Sequence, residues 1–250
     1  MSFDATMTQS RTDLGTPMIN AELTNTGDQP VTVASVAVSS PDFAPVEPSP
    51  KDTTYAPGQI IDLRTPYGRP LCKADTLTSV SYDVTLDDGS TLTLPLDNHG
   101  LRWLAGIYRH DCAVRALGTV ARVAFAPDAT RTSAGGAEYL EASLIVRRPA
   151  GDASEAFEIR ELSGSVLLRL LPRTPGEFPF TLKPGQRSAS IPILIGSFRC
   201  GPHELSASQQ TFLLSAYART DAVPTQRLIL VPPTPLRAKA QKLLVDVCLG

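Results

Sequence analysis

Residues 77–96, LTSVSYDVTLDDGSTLTLPL, decide the class of the fold. Two runs of alternating β-forming residues, 77–86 and 91–96, flank Asp87-Asp88-Gly89-Ser90. An Asp-Gly pair between such runs is the strongest short-range signal of a β-hairpin. Directly after it, Leu101, Leu104, Ala105 and Tyr108 recur at helical spacing behind Asn98, a residue suited to cap a helix, and the pattern leads to Cys112.

The same order of signals returns in the second half. Pro57-Gly58-Gln59 precedes Cys72 by 15 residues, and Pro184-Gly185-Gln186 precedes Cys200 by 16. Each cysteine is followed by a strand pair, the second at 211–218 and 226–231, and then by a Leu-Arg helical pattern. Leu101-Arg102 leads to Cys112 and Leu236-Arg237 to Cys248. One module used twice explains this, and the expected domains are 1–115 and 116–250.

Further strands fill out each copy. In the first, 18–23 and 31–38 surround the turn cluster Asn25-Thr26-Gly27-Asp28, and 60–64 follows the Pro-Gly-Gln turn. Within 31–38, strict alternation sends Val31, Val33, Ser35 and Ala37 one way and Thr32, Ala34, Val36 and Val38 the other, which predicts a strand covered on both faces. Residues 41–50 read as an irregular Pro-rich loop. The second copy has strands at 120–125, 137–147, 157–170 and 187–195, with a turn at Pro149-Ala150-Gly151-Asp152. Its closing helix opens with Thr234 as cap and Pro235 at the first helical position, and Leu236, Ala240, Leu243, Leu244 and Val247 share one face. The 22 Pro and 17 Gly, spread along the chain, suit many short strands. The predicted fold is therefore mainly β: two tandem immunoglobulin-like β-sandwich modules, each closed by a short C-terminal helix. The antibody pattern itself is absent, because Trp103 sits on the closing helix and not between paired cysteines.

Four cysteines in matched positions predict structural disulfides and an oxidising compartment. Of three possible connectivities the repeat selects Cys72 with Cys112 and Cys200 with Cys248, since equivalent modules close in equivalent ways. Residues 1–16 are polar, with no apolar core of a signal peptide. Any signal, lipid anchor or membrane helix is expected upstream of Met1, and membrane association only through that missing segment.

The net charge of −2 excludes a general affinity for nucleic acid. The halves differ, however: residues 1–115 hold 14 acidic and 8 basic side chains, net −6, and residues 116–250 hold 11 and 15, net +4. Solvated surface accounts for this, and so does a basic second half facing an acidic partner or a lipid headgroup layer.

Sequence signals for catalysis do not assemble. No nucleophile elbow, phosphate loop, dinucleotide fingerprint, zincin helix or EF-hand occurs, and the histidines are His99, His110 and His203 alone. Cys200-Gly201-Pro202-His203 has the spacing of a metal pair, but a disulfide would consume the sulfur, and its counterpart Cys72-Lys73-Ala74-Asp75 lacks the histidine. No metal and no cofactor are expected. Arg199, His203 and Trp103 are the candidate binding residues.

The order of the Pro-Gly-Gln turn, Arg199-Cys200-Gly201-Pro202-His203, a strand pair and Leu236-Arg237 to Cys248 resembles an uncharacterised group of actinobacterial secreted or membrane-anchored proteins with two tandem Ig-like modules. The use of 18 Arg against 5 Lys fits a high-GC genome. The resemblance covers nearly the whole chain and implies no activity; Gly201, where the group carries an acidic residue, argues against an ion site. The resulting expectation is a non-catalytic extracytoplasmic binding or scaffold protein with a protein partner in the cell envelope. Its alternative is an accessory subunit on the outer face of a membrane enzyme or transporter complex, with a hydrolase the remaining possibility.

Overall fold

The structure, a computed structural model, describes residues 2–151 and 154–249, with the backbone alone for Pro202, Ser206 and Ala207. Met1, and Asp152 of the expected turn, lie outside the described residues. The chain divides into two units, Met1–Cys112 and Ala113–Gly250, close to the expected division, and each encloses its own core.

In the first unit the strands are β1 (Phe3–Thr8), β2 (Met18–Asn25), β3 (Val31–Ser39), β4 (Ser49–Tyr55), β5 (Ile60–Pro66), β6 (Ser81–Leu86) and β7 (Thr91–Pro95). They form two antiparallel sheets, β1-β2-β5 and β4-β3-β6-β7. Inward residues of both sheets meet in one core, among them Met7, Ile19 and Leu23 from the first and Val33, Tyr82 and Val84 from the second. This is an immunoglobulin-like sandwich. β1 was missed in the sequence although Phe3, Ala5 and Met7 alternate inward, and β4 begins inside the segment expected to be irregular.

β3 corrects the reading of a doubly covered strand. Val33 lies opposite Leu86 and Ser35 opposite Thr85, so two steps on β3 match one on β6 and Ala34 is a bulge. The bulge shifts the alternation by one residue and turns Val31, Val33, Val36 and Val38 all to the core. One face is buried, not two.

In the second unit the elements are β8 (Arg122–Phe125), β9 (Thr130–Ala134), β10 (Ala137–Arg147), β11 (Phe157–Ser163), β12 (Leu168–Pro172), β13 (Phe180–Leu182), β14 (Ser188–Ser197), a short helix at Pro202–Ala207, β15 (Leu214–Arg219) and β16 (Gln226–Leu230), then a closing helix at Thr234–Cys248. One sheet runs β12-β14-β10-β8 with β9 also on β10, the other β13-β11-β15-β16. β8, β10 and β14 repeat β1, β2 and β5, and β13-β11-β15-β16 repeats β4-β3-β6-β7. The expected strand 157–170 is two strands in different sheets. Gly164 makes the break: a Cβ there would stand 2.0 Å from the Leu168 carbonyl oxygen, so the chain turns tightly and crosses over.

The Pro-Gly-Gln turns are equivalent in detail. Gly58 and Gly185 have φ of 75° and 78°, the left-handed conformation that a type II turn requires after proline. Gln59 Oε1 accepts the Ala56 N–H at 2.9 Å, as Gln186 Oε1 accepts that of Lys183 at 3.2 Å. Beside each turn a buried polar residue satisfies the carbonyls around it. Asn25 Nδ2 donates to the Gln29 and Tyr55 carbonyls. Arg148 donates to the carbonyls of Val120, Glu155, Leu182, Lys183 and Gln186.

Among the described residues the α-helices, in chain order, are α1 (Asn98–Val120), α2 (Pro202–Ala207) and α3 (Thr234–Cys248). α1 is capped by Asp97, not Asn98: its Oδ1 accepts the Gly100 N–H at 2.7 Å. Nor does α1 end at Cys112, because residues 113–120 hold no proline and include the strong helix formers Ala, Leu and Arg. Leu104 and Tyr108 enter the first core, and Leu117 enters the second. On α3, Leu236, Ala240, Leu243 and Leu244 are buried as expected but Val247 faces out, and Thr234 makes no side-chain cap.

Candidate functional site

Both cysteine pairs form as the repeat requires. Cys72 bonds Cys112 and Cys200 bonds Cys248, with Cα separations of 5.6 and 5.0 Å. Each ties a closing helix to the connection that leaves the fifth or fourteenth strand. Two structural disulfides indicate an oxidising environment. Among the described residues no helix is long and apolar enough to cross a membrane.

Each unit carries a groove between its closing helix and a cysteine-bearing connection. In the second unit the backbone of that connection is pinned before it reaches the disulfide. The Phe198 N–H donates to the Leu167 carbonyl at 2.8 Å, and Ser165 Oγ donates to the Thr211 carbonyl at 2.7 Å. Leu205 of α2 packs on the core from this side. The groove, about 250 Å³, is lined by Leu167, Leu205, Leu244, Val245 and Leu249 together with Ser208, Thr211 and Gln241. Leu249 is 70% exposed, and Phe198, two residues before Cys200, is 57% exposed.

In the first unit a groove of about 480 Å³ runs between residues 76–80 and α1, bordered by Leu77, Leu101, Arg102, Ala105 and Arg109. Two arginines therefore border it, whereas the lining of the other groove is uncharged. Asp111 lies one residue before Cys112. Burial pushes its carboxyl above the usual range, against the Tyr67 hydroxyl that donates to it at 3.0 Å. In the second unit Asp246 is held below that range, first by the Arg131 hydrogen bond and then by Lys242.

Of the candidate residues, Arg199 and His203 flank Cys200 in the second unit. The Arg199 guanidinium lies 5.3 Å from the centre of the Phe198 ring, a cation–π contact. His203 is exposed on α2. Trp103 belongs to the first unit, where it is 50% exposed with its ring 6.4 Å from that of His99. Among the described residues no group of three or more His, Cys, Asp or Glu side chains is placed to hold a metal ion. Sequence reasoning missed Phe198 and Leu249. Their signal was position, since each neighbours a disulfide cysteine where an ordinary surface would be polar.

No known protein family matches the chain, and no curated protein does. Among solved structures, the Amycolatopsis orientalis exo-chitosanase CsxA is similar at 11% identity and a TM-score of 0.22, over 90% of this chain and 26% of its own. This chain thus spans about a quarter of that enzyme's length. The B domain of a biofilm associated protein is similar at 9% identity and a TM-score of 0.23, over 90% of this chain and 82% of its own.

Proposed function

We propose that the chain is a non-catalytic binding or scaffold protein of the cell envelope, engaging a protein partner through the disulfide end of its second unit. The observation that carries this reading is the pair of large apolar side chains left in solvent near the Cys200–Cys248 bridge, Phe198 and Leu249, of which Leu249 lines the groove together with Val245. Apolar side chains exposed beside a disulfide fit a protein contact. The two disulfides support an extracytoplasmic setting, and the resemblance to secreted or membrane-anchored tandem Ig-like proteins supports the envelope.

The test is photo-crosslinking in native envelopes. A benzophenone amino acid at Phe198 captures one defined envelope protein, the same group at exposed Ile60 of the first unit does not, and adding Val245→Ser with Leu249→Ser abolishes capture. Identical adducts from both positions, or none from Phe198, would overturn the reading. A captured membrane enzyme or transporter would identify the chain as its accessory subunit.

A further inference from the structure

Three adjacent strands of the second unit bring two arginines and a serine into one row. Arg147 on β10 lies directly opposite Arg122 on β8 and directly opposite Ser188 on β14. Leu144 and Val146 point into the core, so alternation sends Arg147 to the outer face of the sheet. Both arginines are exposed. Directly paired residues hold their Cβ atoms about 5 Å apart, and like charges so placed repel.

Among the described residues of this unit some arginines pair with carboxylates, Arg131 with Glu138 and Asp246, Arg160 and Arg219 with Glu158, and Arg173 with Glu141, and others bond hydroxyl or carbonyl oxygens, as Arg169, Arg187, Arg227 and Arg237 do. Arg122 and Arg147 find none among the described residues. The surroundings add to the positive field. Arg148 is buried next in sequence and bonded only to carbonyls, and its N–H donates to the carbonyl of Arg187 beside the Pro-Gly-Gln turn. The outward acid of β10, Glu141, is already paired.

We propose that Arg122, Arg147 and Ser188 form a binding row for a phosphate group. A carboxylate neutralises one guanidinium and fills one fork, whereas the unesterified oxygens of a tetrahedral phosphate group can be shared between two forks and a hydroxyl. Free phosphate and a phospholipid headgroup share this chemistry. The row stands apart from the groove beside the Cys200–Cys248 bridge and does not depend on it.

Titration calorimetry with inorganic phosphate and co-sedimentation with vesicles, phosphatidylcholine with and without phosphatidylglycerol, test it on the whole chain. The expected result is saturable binding that weakens at least about tenfold in Arg122→Gln/Arg147→Gln and falls with added salt. Arg11→Gln/Arg69→Gln removes the same charge from exposed positions of the first unit that border neither groove and should leave binding intact. Binding in both arms identifies a free phosphate site, and binding to phosphatidylglycerol vesicles alone identifies the lipid surface. Absence of binding in both arms, equal binding by the Arg122/Arg147 variant, or equal loss in the control variant would overturn the proposal.

Discussion

Asp13 shows how one buried charge sets a pH dependence. Its side chain is 2% exposed and accepts from Arg64 at 2.8 Å and from Ser10 at 3.0 Å. The Arg64 hydrogen bond holds its carboxyl below the usual range despite burial. The folded chain therefore holds on to this proton less tightly than the unfolded chain does. Stability from Asp13 is complete above the ordinary carboxylate range and is lost as pH falls through the lowered folded value. Asp13→Asn should accordingly cost stability at neutral pH and little in strong acid, read from urea midpoints at the two pH values. Asp111 has the opposite sign. Burial raises its carboxyl, so its contribution is present at low pH and is lost as pH rises, and Asp111→Asn should stabilise the neutral protein relative to the acid one. Arg148, by contrast, was invisible to sequence reasoning. Arg147-Arg148 reads as two surface charges, and only the fold shows that the second is 5% exposed and donates to five carbonyls. A buried cation so fully bonded avoids the penalty of an unpaired one.

At the scale of elements, the Pro-Gly-Gln turns were legible because proline and glycine each dictate a backbone angle. Gly58 and Gly185 have open space where a Cβ would stand, and a left-handed φ. Gly58→Ala and Gly185→Ala should each destabilise their unit by about 1–2 kcal/mol, the cost of that conformation for an ordinary residue. Equal losses, measured by thermal unfolding, would confirm that the two turns are the same element, and a loss in one alone would contradict it. The Asp-Gly hairpin was legible for the same reason, with Gly89 at φ 81°. The bulge at Ala34 was not, because it depends on which face the opposite strand buries. The crossover at Gly164 was missed although Ser163-Gly164-Ser165 interrupts the apolar pattern of 157–170 there. α1 ran past its expected end because a disulfide cysteine does not stop a helix.

For the molecule as a whole, the repeat was readable from the spacing of turns and cysteines, and the structure extends it to strand order and pairing. The proposed binding surfaces were not readable in the same way. Phe198 and Leu249 look like ordinary apolar residues until the core is drawn without them, and the Arg122–Arg147 row exists only through strand register. The two units also diverge where they are not constrained by the shared fold: Trp103 on α1 is matched by Ala238 on α3, and a groove bordered by two arginines by an uncharged one. What they share is closure. The bridges join residues 40 and 48 apart, and constraining loops of that length stabilises each unit by about 4 kcal/mol in the chain-entropy description. That closure ties fold to compartment, and peptide mapping under non-reducing conditions of the protein taken from its native cells tests it most directly. The account predicts linked peptides joining Cys72 to Cys112 and Cys200 to Cys248. Four free thiols, or a bridge between the two units, would contradict it.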